Sequence, residues 1–329
     1  MATSLETIVS WAKRKGFVYP NSEIYWGLAN AWDFWPYGAL LKKNISDLWI
    51  KHFTQQRDDV VFMDTAIIAH PTTWKASGHL DSFSDALIDD KKTGQRFRAD
   101  KIIENYFEEV RNGLSDEELT VKLWVKNLSP ESRGNEGMRA FIVEYIPNNP
   151  DTKEPADWTE CRNFNLMLDS HLGPVANDAS KVYMRPETCQ SLFTDFKAVL
   201  DTTRARIPFG LAQVWKAFRN EITPGQFLYR TREFEQMEIE YFVPADPEKA
   251  MEIYNQWKAD CMQYWTEVIG INPENLRFKD HEKLAHYAAA AVDVEYRYPR
   301  GFGEIQGIHN RTNFDLSQHQ EFSGKDMQY

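Results

Sequence analysis

Most of the side chains that could do chemistry fall in one stretch, which runs from Phe218 to Tyr241. It contains Phe218-Arg219-Asn220-Glu221, a short Thr223-Pro224-Gly225 loop, and a second segment that begins at Arg230. At the two-residue period of a β-strand, one face of that segment would carry Arg230, Arg232, Phe234, Gln236, Glu238 and Glu240. Arginine binds phosphate oxygens, an aromatic ring stacks on a flat base, and carboxylates bind an ammonium group. The stretch is a candidate site for a nucleotide and an amine; the alternative is a solvated hairpin with surface salt bridges.

The composition indicates a globular chain. Of its 329 residues, 42% are hydrophobic and 14% aromatic. No long apolar run predicts a membrane span, and the N-terminus carries no secretory signal pattern. The widely spaced Cys161, Cys189 and Cys261 predict reduced thiols in a cytoplasmic protein. A net charge of −11 argues against a protein that coats nucleic acid, although local basic patches could still hold an RNA.

The spacing of apolar residues predicts an α+β fold. Helical spacing occurs over 5–15, 38–56, 188–201 and 247–269, strand patterning over 58–70, and a hairpin over about 210–243. Hairpins that alternate with long helices are typical of an antiparallel sheet flanked by helices. The charge-rich residues 84–160 are predicted to be an insertion, which separates the first part of a catalytic core, 1–83, from the second, 161–329.

Other common sites can be rejected from sequence. His281 and His286 lie five residues apart, which places them about 140° from each other on a helix, so they cannot form an i,i+4 zinc pair. Gly301, Gly303 and Gly307 miss the spacing of a dinucleotide-binding loop. The chain has neither a P-loop sequence nor a Gly-x-Ser-x-Gly nucleophile.

The hairpin sequence resembles motif 2 of the class II aminoacyl-tRNA synthetases, specifically of the homodimeric glycyl-tRNA synthetases. Upstream, Arg185-Pro186-Glu187-Thr188 is similar to that family's glycine-site segment. Further blocks match in order, at Gly16-Phe17, Ser22 to Tyr25, Leu28 to Asp33, Thr73 to His79, Gly303 to Ile308, and Arg311 to Leu316. The resemblance covers almost the whole chain.

This resemblance implies a class II antiparallel sheet with an inserted subdomain. It implies ATP-dependent ligation of glycine to tRNA(Gly) through a glycyl-adenylate, with ATP and Mg²⁺ as cofactors. It also implies a cytoplasmic homodimer with no membrane attachment, in which residues 22–41 lie close to the interface.

The resemblance also implies roles for single residues. Arg219 would be catalytic, bridging the α-phosphate of ATP and the carboxylate of glycine. Glu221 would accept a hydrogen bond from the adenine amino group, and Phe234 would stack on its ring.

Further ATP contacts are implied around these three residues. They would come from Asn220, Thr231, Glu304 and Ile305, and from Arg230 or Arg232 at the outer phosphates. Glu304 would also hold the Mg²⁺ ion. No ATP contact is assigned to position 229, because the residue there is Tyr229 and not a phenylalanine.

Three residues would bind glycine. The carboxylates of Glu187 and Glu238 would hold its ammonium group, and Arg98 matches a position in the family's substrate site. One methyl group changes binding in an apolar pocket by only about 1–3 kcal/mol, so a rigid wall must also exclude alanine.

The chain departs from the family pattern in three ways. The insertion lacks the Cys-x-x-Cys pairs of many relatives, so we predict no zinc. The third class II motif and the anticodon-binding domain are expected beyond Tyr329, so the chain alone is expected to lack aminoacylation activity. Trp26, Trp35 and Trp215 fall where relatives typically have glycine. Because glycine and tryptophan codons differ by one base, these are either recoded glycines or adaptations of local packing.

Two other functions stay open. One is a non-catalytic class II synthetase-like protein that binds nucleic acid or assists a polymerase. A binding protein would not need all five substrate-matched residues, which are Glu187, Arg219, Glu221, Phe234 and Glu238. The other is a synthetase for a different small amino acid, which the paired glutamates and the Arg-Pro-Glu-Thr sequence disfavour.

Overall fold

The structure is a computed structural model, and it describes residues 4–111, 113–123, 129–221, 227–281, 284–285, 287–299 and 301–329. The predicted Thr223-Pro224-Gly225 loop and His286 therefore lie outside the described residues. The chain divides into two compact units. The first comprises residues 1–79, 167–219 and 226–329, and the second comprises 80–166 and 220–225. Within the described part, none of the helices has the length and apolar character needed to cross a membrane.

Helices and mostly antiparallel strands alternate along the chain, which confirms the predicted α+β class. The helices of the described residues are α1 (Leu5–Arg14), α2 (Pro36–Ile50), α3 (Pro71–Ala76), α4 (His79–Ser82), α5 (Ala99–Arg111), α6 (Asp116–Lys122), α7 (Gly134–Tyr145), α8 (Cys189–Thr203), α9 (Pro247–Gln263) and α10 (Phe314–Ser323). The strands are β1 (Val18–Pro20), β2 (Trp32–Phe34), β3 (Val60–Phe62), β4 (Ile68–Ala69), β5 (Ser84–Asp89), β6 (Arg96–Arg98), β7 (Arg162–Asn165), β8 (Asp169–His171), β9 (Lys181–Met184), β10 (Phe209–Phe218), β11 (Glu233–Phe242), β12 (Leu276–Asp280), β13 (Ala290–Tyr298) and β14 (Gly301–Asn310).

The predicted hairpin is the long ladder of the first unit. β10 pairs antiparallel with β11 from Phe209↔Phe242 to Phe218↔Glu233, and β3 lies parallel to β10 on its other side. The apolar face of β11 packs on the core as its two-residue period predicts, through Met237, Ile239 and Tyr241. The prediction was wrong for Arg230 and Arg232, which precede the strand. The carbonyl of Arg232 still accepts the backbone N–H of Arg219 at 2.9 Å, but its own N–H donates to Asn30 O at 2.9 Å, away from β10.

The core of this unit joins the hairpin to the β12–β13–β14 sheet and to α9. Buried Trp49, Phe53 and Tyr264 pack with Val292 and Val294 of β13. Helix α9 begins at a proline, which lacks an N–H, and the Asp246 side chain accepts hydrogen bonds from the backbone of Glu248 and Lys249. These contacts hold the apolar face of β11 and the β13–β14 hairpin in fixed positions.

The predicted 58–70 strand is two short strands, β3 and β4. Between them the chain leaves the ladder because the carbonyl and hydroxyl of Thr65 accept hydrogen bonds from Arg185 at 3.1 and 3.0 Å. A buried guanidinium therefore occupies the polar groups that a continuous strand would have used.

The N-terminal segment carries many exposed apolar side chains. Ile24, Trp26 and Leu40 are 84%, 96% and 58% exposed. The start of α2 lies directly against β1, since a Cβ at Gly38 would come within 2.0 Å of Phe17 O. Glycine is therefore required at position 38 for this close approach.

The second unit has its own core. The β6–β5–β7 sheet pairs antiparallel, and α5, α6 and α7 supply apolar residues that include Ile103, Phe107, Leu119 and Phe141. Its strands and helices span residues 84–165, and the predicted insertion, 84–160, falls within the unit.

Candidate active site

Three glutamates come together on the polar face of β11. Glu238 and Glu240 lie two residues apart on the strand, and Glu187 follows β9 immediately before α8. The negative charge of Glu187 raises the pKa of both Glu238 and Glu240, and Glu238 also raises that of Glu240, so the three form one electrostatic cluster. We name Glu187, Glu238 and Glu240 the acidic pocket.

Glu187 is the ionised member of the acidic pocket. Burial alone would raise its pKa, but His79, 3.4 Å from its carboxylate, lowers the pKa to about 2, with help from Cys189 and Arg311. Its Oε1 also accepts hydrogen bonds from Cys189 Sγ at 3.0 Å and from Gln190 Nε2 at 3.1 Å. These donors fix the carboxylate as a negative charge.

Glu238 and Glu240 resist ionisation. Burial and the negative charge of Glu187 raise the pKa of Glu238 to about 7, against a hydrogen bond from Thr188 Oγ1 at 3.0 Å. Burial and Glu238 raise the pKa of Glu240 as well. A cationic ligand would relieve this repulsion, because an opposite charge favours the ionised form of a carboxyl group.

Arg311 is the cation that partly balances these acids. Its guanidinium makes a bidentate ion pair with buried Asp315 of α10, at 2.8 and 2.9 Å. Gln190 Nε2 also donates to Asp315 at 3.0 Å. The pairing joins the end of β14 to α8 and α10, and removing one partner of such a buried pair costs about 3–5 kcal/mol.

A buried polar frame holds the segment that carries Glu187. The Thr188 backbone N–H donates to Gln236 Oε1 at 3.2 Å, and Gln213 Nε2 donates to Thr188 O. The fully buried Gln213 accepts from Thr65 Oγ1 at 2.8 Å. Arg185 completes the frame by donating from Nε to Lys216 O at 2.7 Å. The segment from Arg185 to Thr188 is thus bonded to β10, to β11 and to the Thr65 loop, which fixes one side of the pocket.

Arg219 lies at the end of β10 beside this frame. Its Nε donates to Pro186 O at 3.0 Å, and its guanidinium carbon lies 5.1 Å from the centroid of the Phe234 ring. Its charge favours the ionised forms of Glu238 and Glu304. The structure therefore brings together Arg219, Phe234, Glu187 and Glu238, as the sequence predicted.

The two arginines that sequence could not rank differ in their surroundings. Arg232 Nη1 donates to Ala29 O at 3.0 Å, while Arg230 has an exposed side chain. Between them, Thr231 Oγ1 donates to Glu233 O at 2.9 Å. Arg232 thus contacts the N-terminal segment, and the choice between Arg230 and Arg232 at an outer phosphate stays open.

Glu304 and Ile305 lie on β14, and their side chains play different parts. Ile305 packs against the core, so a ligand could meet only its backbone. Burial and Asp293 raise the pKa of Glu304, whereas His281 and Arg219 lower it. Oxygen ligands suit Mg²⁺, and Glu304 could offer one.

Position 229, to which the sequence assigns no ATP contact for want of a phenylalanine, lies next to this part of β14. The hydroxyl of Tyr229 donates to Glu304 O at 3.4 Å, and its ring meets that of Tyr298 edge-on at 5.3 Å. A Cβ at Gly303 would come within 2.4 Å of the same hydroxyl, so glycine leaves room for the tyrosine. Tyr229 therefore supports the backbone of a predicted ATP-binding residue through its hydroxyl, a contact that a phenylalanine could not make.

Three predicted site residues belong to the second unit. Arg98 makes a bidentate pair with Asp100 at 3.1 and 2.6 Å and lies 3.1 Å from Asp85. The backbone N–H of Asn220 donates to Leu166 O at 2.8 Å, and Glu221 is buried. Their roles toward a ligand stay predictions.

Sequence reasoning missed the residues that tune the pocket. Arg311 and Asp315 lie i,i+4, a spacing that could have suggested the ion pair. His79 carries no such signal, because its partner Glu187 is distant in sequence. Gln190 bonds to Glu187 three residues away, but its bond to Asp315 spans 125 residues. The assembled site offers fixed negative charge for an ammonium group, and an arginine with an aromatic ring for a nucleotide.

The fold is that of a known class of enzyme. No family model matches the chain. It aligns over 96% of its length with 48% of a Giardia lamblia prolyl-tRNA synthetase solved in complex with prolyl-adenylate, at a TM-score of 0.55 and 12% identity. The fold is therefore that of a class II aminoacyl-tRNA synthetase.

Sequence relatives specify the member of that class. The chain is 45% identical over 326 residues to the glycine–tRNA ligase of Chlorobaculum tepidum, covering 99% of this chain and 69% of that protein. It is 46% identical over 328 residues to that of Caldanaerobacter subterraneus subsp. tengcongensis, covering 99% and 67%. The glycine–tRNA ligase of Alkaliphilus oremlandii is also 46% identical, covering 100% and 68%. The chain belongs to the glycine–tRNA ligase family.

Proposed function

We propose that the acidic pocket and Arg219 form the glycine-activating site of this ligase. Glycine would react with ATP to give glycyl-adenylate and pyrophosphate, and the glycyl group would then pass to the terminal hydroxyl of tRNA(Gly). The observation that carries the proposal is the half-buried glutamate pair, Glu187 and Glu238, beside Arg219.

Each end of glycine would meet a complementary charge. Its ammonium group would bind between Glu187, which is already ionised, and Glu238, whose ionisation the ammonium favours. Its carboxylate would lie toward Arg219, which would also contact the α-phosphate and neutralise the charge that develops there. Pro186 and Phe234 hold the arginine in place, so the donor is oriented before the substrates arrive.

The same site would take ATP. Adenine would stack on Phe234, and Arg230 or Arg232 would bind the outer phosphates. Glu221 and Asn220, which belong to the second unit, keep the nucleotide roles that the resemblance implies. Glu304 would hold a Mg²⁺ ion, which would neutralise charge on the phosphates when bound. We also propose that the enzyme is a cytoplasmic homodimer and that its dimer surface includes the exposed segment around residues 22–41.

Amino-acid-dependent exchange of labelled pyrophosphate into ATP tests the substrate assignment. We expect exchange with glycine, and far slower exchange with alanine or serine, because the polar frame around Thr188 fixes one side of the pocket and should resist the shift that a larger side chain requires. Glu238→Gln should lose most glycine-dependent exchange, and the matched change Glu233→Gln, outside the pocket, should keep it. Equal exchange with alanine and glycine would contradict the assignment.

A further inference from the structure

Three potential metal ligands meet on the β12–β13–β14 sheet. His281 directly follows β12, Asp293 lies on β13, and His309 lies on β14. Their ligand atoms all lie within 4.8 Å of one another. No other trio of histidine, cysteine or acidic residues in the described part of the chain meets this separation.

The strand register fixes this arrangement. Ala291 pairs with His309 in the β13–β14 ladder, and its carbonyl accepts the backbone N–H of His281 at 3.1 Å. Asp293 lies two residues beyond Ala291 and therefore on the same face of β13. Backbone hydrogen bonds on both sides of β13 thus bring the three side chains to one place.

Gly307 leaves space for them. It pairs with Asp293, and a Cβ at this position would lie 3.0 Å from His309 Nε2 and 3.7 Å from Asp293 Oδ1. A side chain here would push against both potential ligands. The glycine thus keeps a small polar cradle open between them.

One pair, His281 and Asp293, is misaligned for a hydrogen bond. His281 Nε2 lies 2.9 Å from Asp293 Oδ1, yet this buried nitrogen has no hydrogen-bond partner among the described residues. The rings of His281 and His309 are 5.5 Å apart and inclined at 67°. With this inclination, the ring nitrogens of His281 and His309 can both point at a ligand between them. The buried His281 Nε2, which has no hydrogen bond, calls for such an explanation.

We propose that His281, Asp293 and His309 bind a divalent transition-metal ion, with Zn²⁺ as the preferred ion. Two imidazoles and one carboxylate suit zinc, with bonds of about 2.0–2.2 Å, and leave a fourth position for water. Small side-chain rotations would bring the three donors to those distances.

This site is separate from the proposed Mg²⁺ ligand, and it departs from the sequence prediction of no zinc. Mg²⁺ prefers oxygen ligands, and only Asp293 of the three offers oxygen. The prediction of no zinc came from the missing cysteine pairs in residues 84–160, whereas these residues lie in the first unit. The rejected His281–His286 pair is not involved.

Cobalt titration of the metal-stripped protein tests the proposal. Co²⁺ should bind with one equivalent, show the visible absorption of a site with nitrogen and oxygen ligands, and be displaced by Zn²⁺ but not by excess Mg²⁺. His309→Ala and Asp293→Asn should each weaken Co²⁺ binding at least tenfold. Gly307→Ala should weaken it without removing any ligand, because its methyl group would press on His309.

Two control variants separate this site from others. His171→Ala removes an exposed histidine elsewhere, and Glu304→Gln removes the proposed Mg²⁺ ligand; both should keep the Co²⁺ site. Circular dichroism would identify any variant that fails to fold, and the variants that do fold would still show whether these residues bind Co²⁺. The proposal would be overturned if the unmodified protein bound no Co²⁺. It would also be overturned if the folded variants His309→Ala and Asp293→Asn bound Co²⁺ as tightly as the unmodified protein. Because no substrate is present, the result is independent of the proposed function.

Discussion

Glu238 is the residue whose charge the pocket makes most sensitive to pH. Its ordinary pKa is 4.5, and burial with Glu187 raises it to about 7. Since the folded pKa lies above the unfolded one, its contribution to stability is fully present below pH 4.5 and is lost as the pH rises through 7. Glycine binding should show the opposite trend, because the ammonium group binds the ionised carboxylate.

We therefore expect glycine to bind about tenfold more tightly at pH 8 than at pH 6, as the ionised fraction of a group with a pKa near 7 rises. Isothermal titration calorimetry at the two pH values measures this change. Glu238→Gln should bind glycine weakly with little pH dependence, whereas Glu233→Gln should behave like the unmodified protein. The same pH dependence in Glu238→Gln would assign it to another group.

Arg219 should act in catalysis more than in folding. Arg219→Ala should slow adenylate formation by about 10²–10³-fold, as the loss of one preorganised donor to a developing charge does. Its contacts with Pro186 and Phe234 are local, so the midpoint of urea unfolding should change little. The matched variant Arg206→Ala, at an exposed position, should keep both activity and stability. An unchanged exchange rate in Arg219→Ala would show that the hairpin is only a charged surface.

At the scale of elements, local patterns predicted the hairpin but not the frame behind it. The period of β11 placed Phe234 and Glu238 on one face because alternation is a property of the strand itself. The bond from Arg185 to Thr65 joins residues 120 apart in sequence, and nothing in either segment announces it. His281 illustrates the same limit. Sequence reasoning tested it against a neighbour along a helix, yet it follows a strand and its partners come from two others.

Trp26, one of the three tryptophans at positions where glycine is typical, directly follows the short 3₁₀ turn Glu23–Tyr25, and its backbone conformation tests whether glycine would fit better. Trp26, which ends this turn, has φ of +69° and is 96% exposed. Trp35 has extended backbone and Trp215 lies within β10, so neither requires positive φ. The left-handed conformation costs a residue other than glycine about 1–2 kcal/mol.

Trp26→Gly should therefore raise the free energy of unfolding by up to about 1 kcal/mol, measured by urea denaturation. Trp35→Gly should lower it, because its indole packs 4.3 Å from the ring of Tyr19. A loss of stability in Trp26→Gly would show that the exposed indole makes a contact worth more than the backbone strain.

At the scale of the whole molecule, the exposed apolar side chains of the first unit are concentrated near the N-terminus. Besides Ile24 and Trp26, Tyr37, Leu40 and Leu41 are 64%, 58% and 51% exposed. Exposed apolar patches of this kind mark interaction surfaces in soluble proteins. The homodimer that the sequence predicts would bury them.

Leu40→Glu should therefore weaken self-association, because the dimer would have to bury an unpaired charge. Sedimentation or light scattering at micromolar concentration measures the effect. Val121→Glu, at a residue that is 76% exposed in the second unit, is the matched control and should leave the oligomeric state unchanged. A monomeric unmodified protein would contradict the predicted dimer.

The bonds of Arg232 to Ala29 and Asn30 would have a consequence for the predicted dimer. They tie the base of the β10–β11 hairpin to the exposed N-terminal segment, and Lys42 adds an ion pair to Glu235 of β11 at 2.6 Å. Any shift of this segment on association would move the strand that carries Phe234 and Glu238. Coupling between two binding events is reciprocal. Whatever free energy association contributed to ATP affinity, ATP would return in equal measure to association, so a nucleotide-bound protein would dimerise with a different affinity from the free protein.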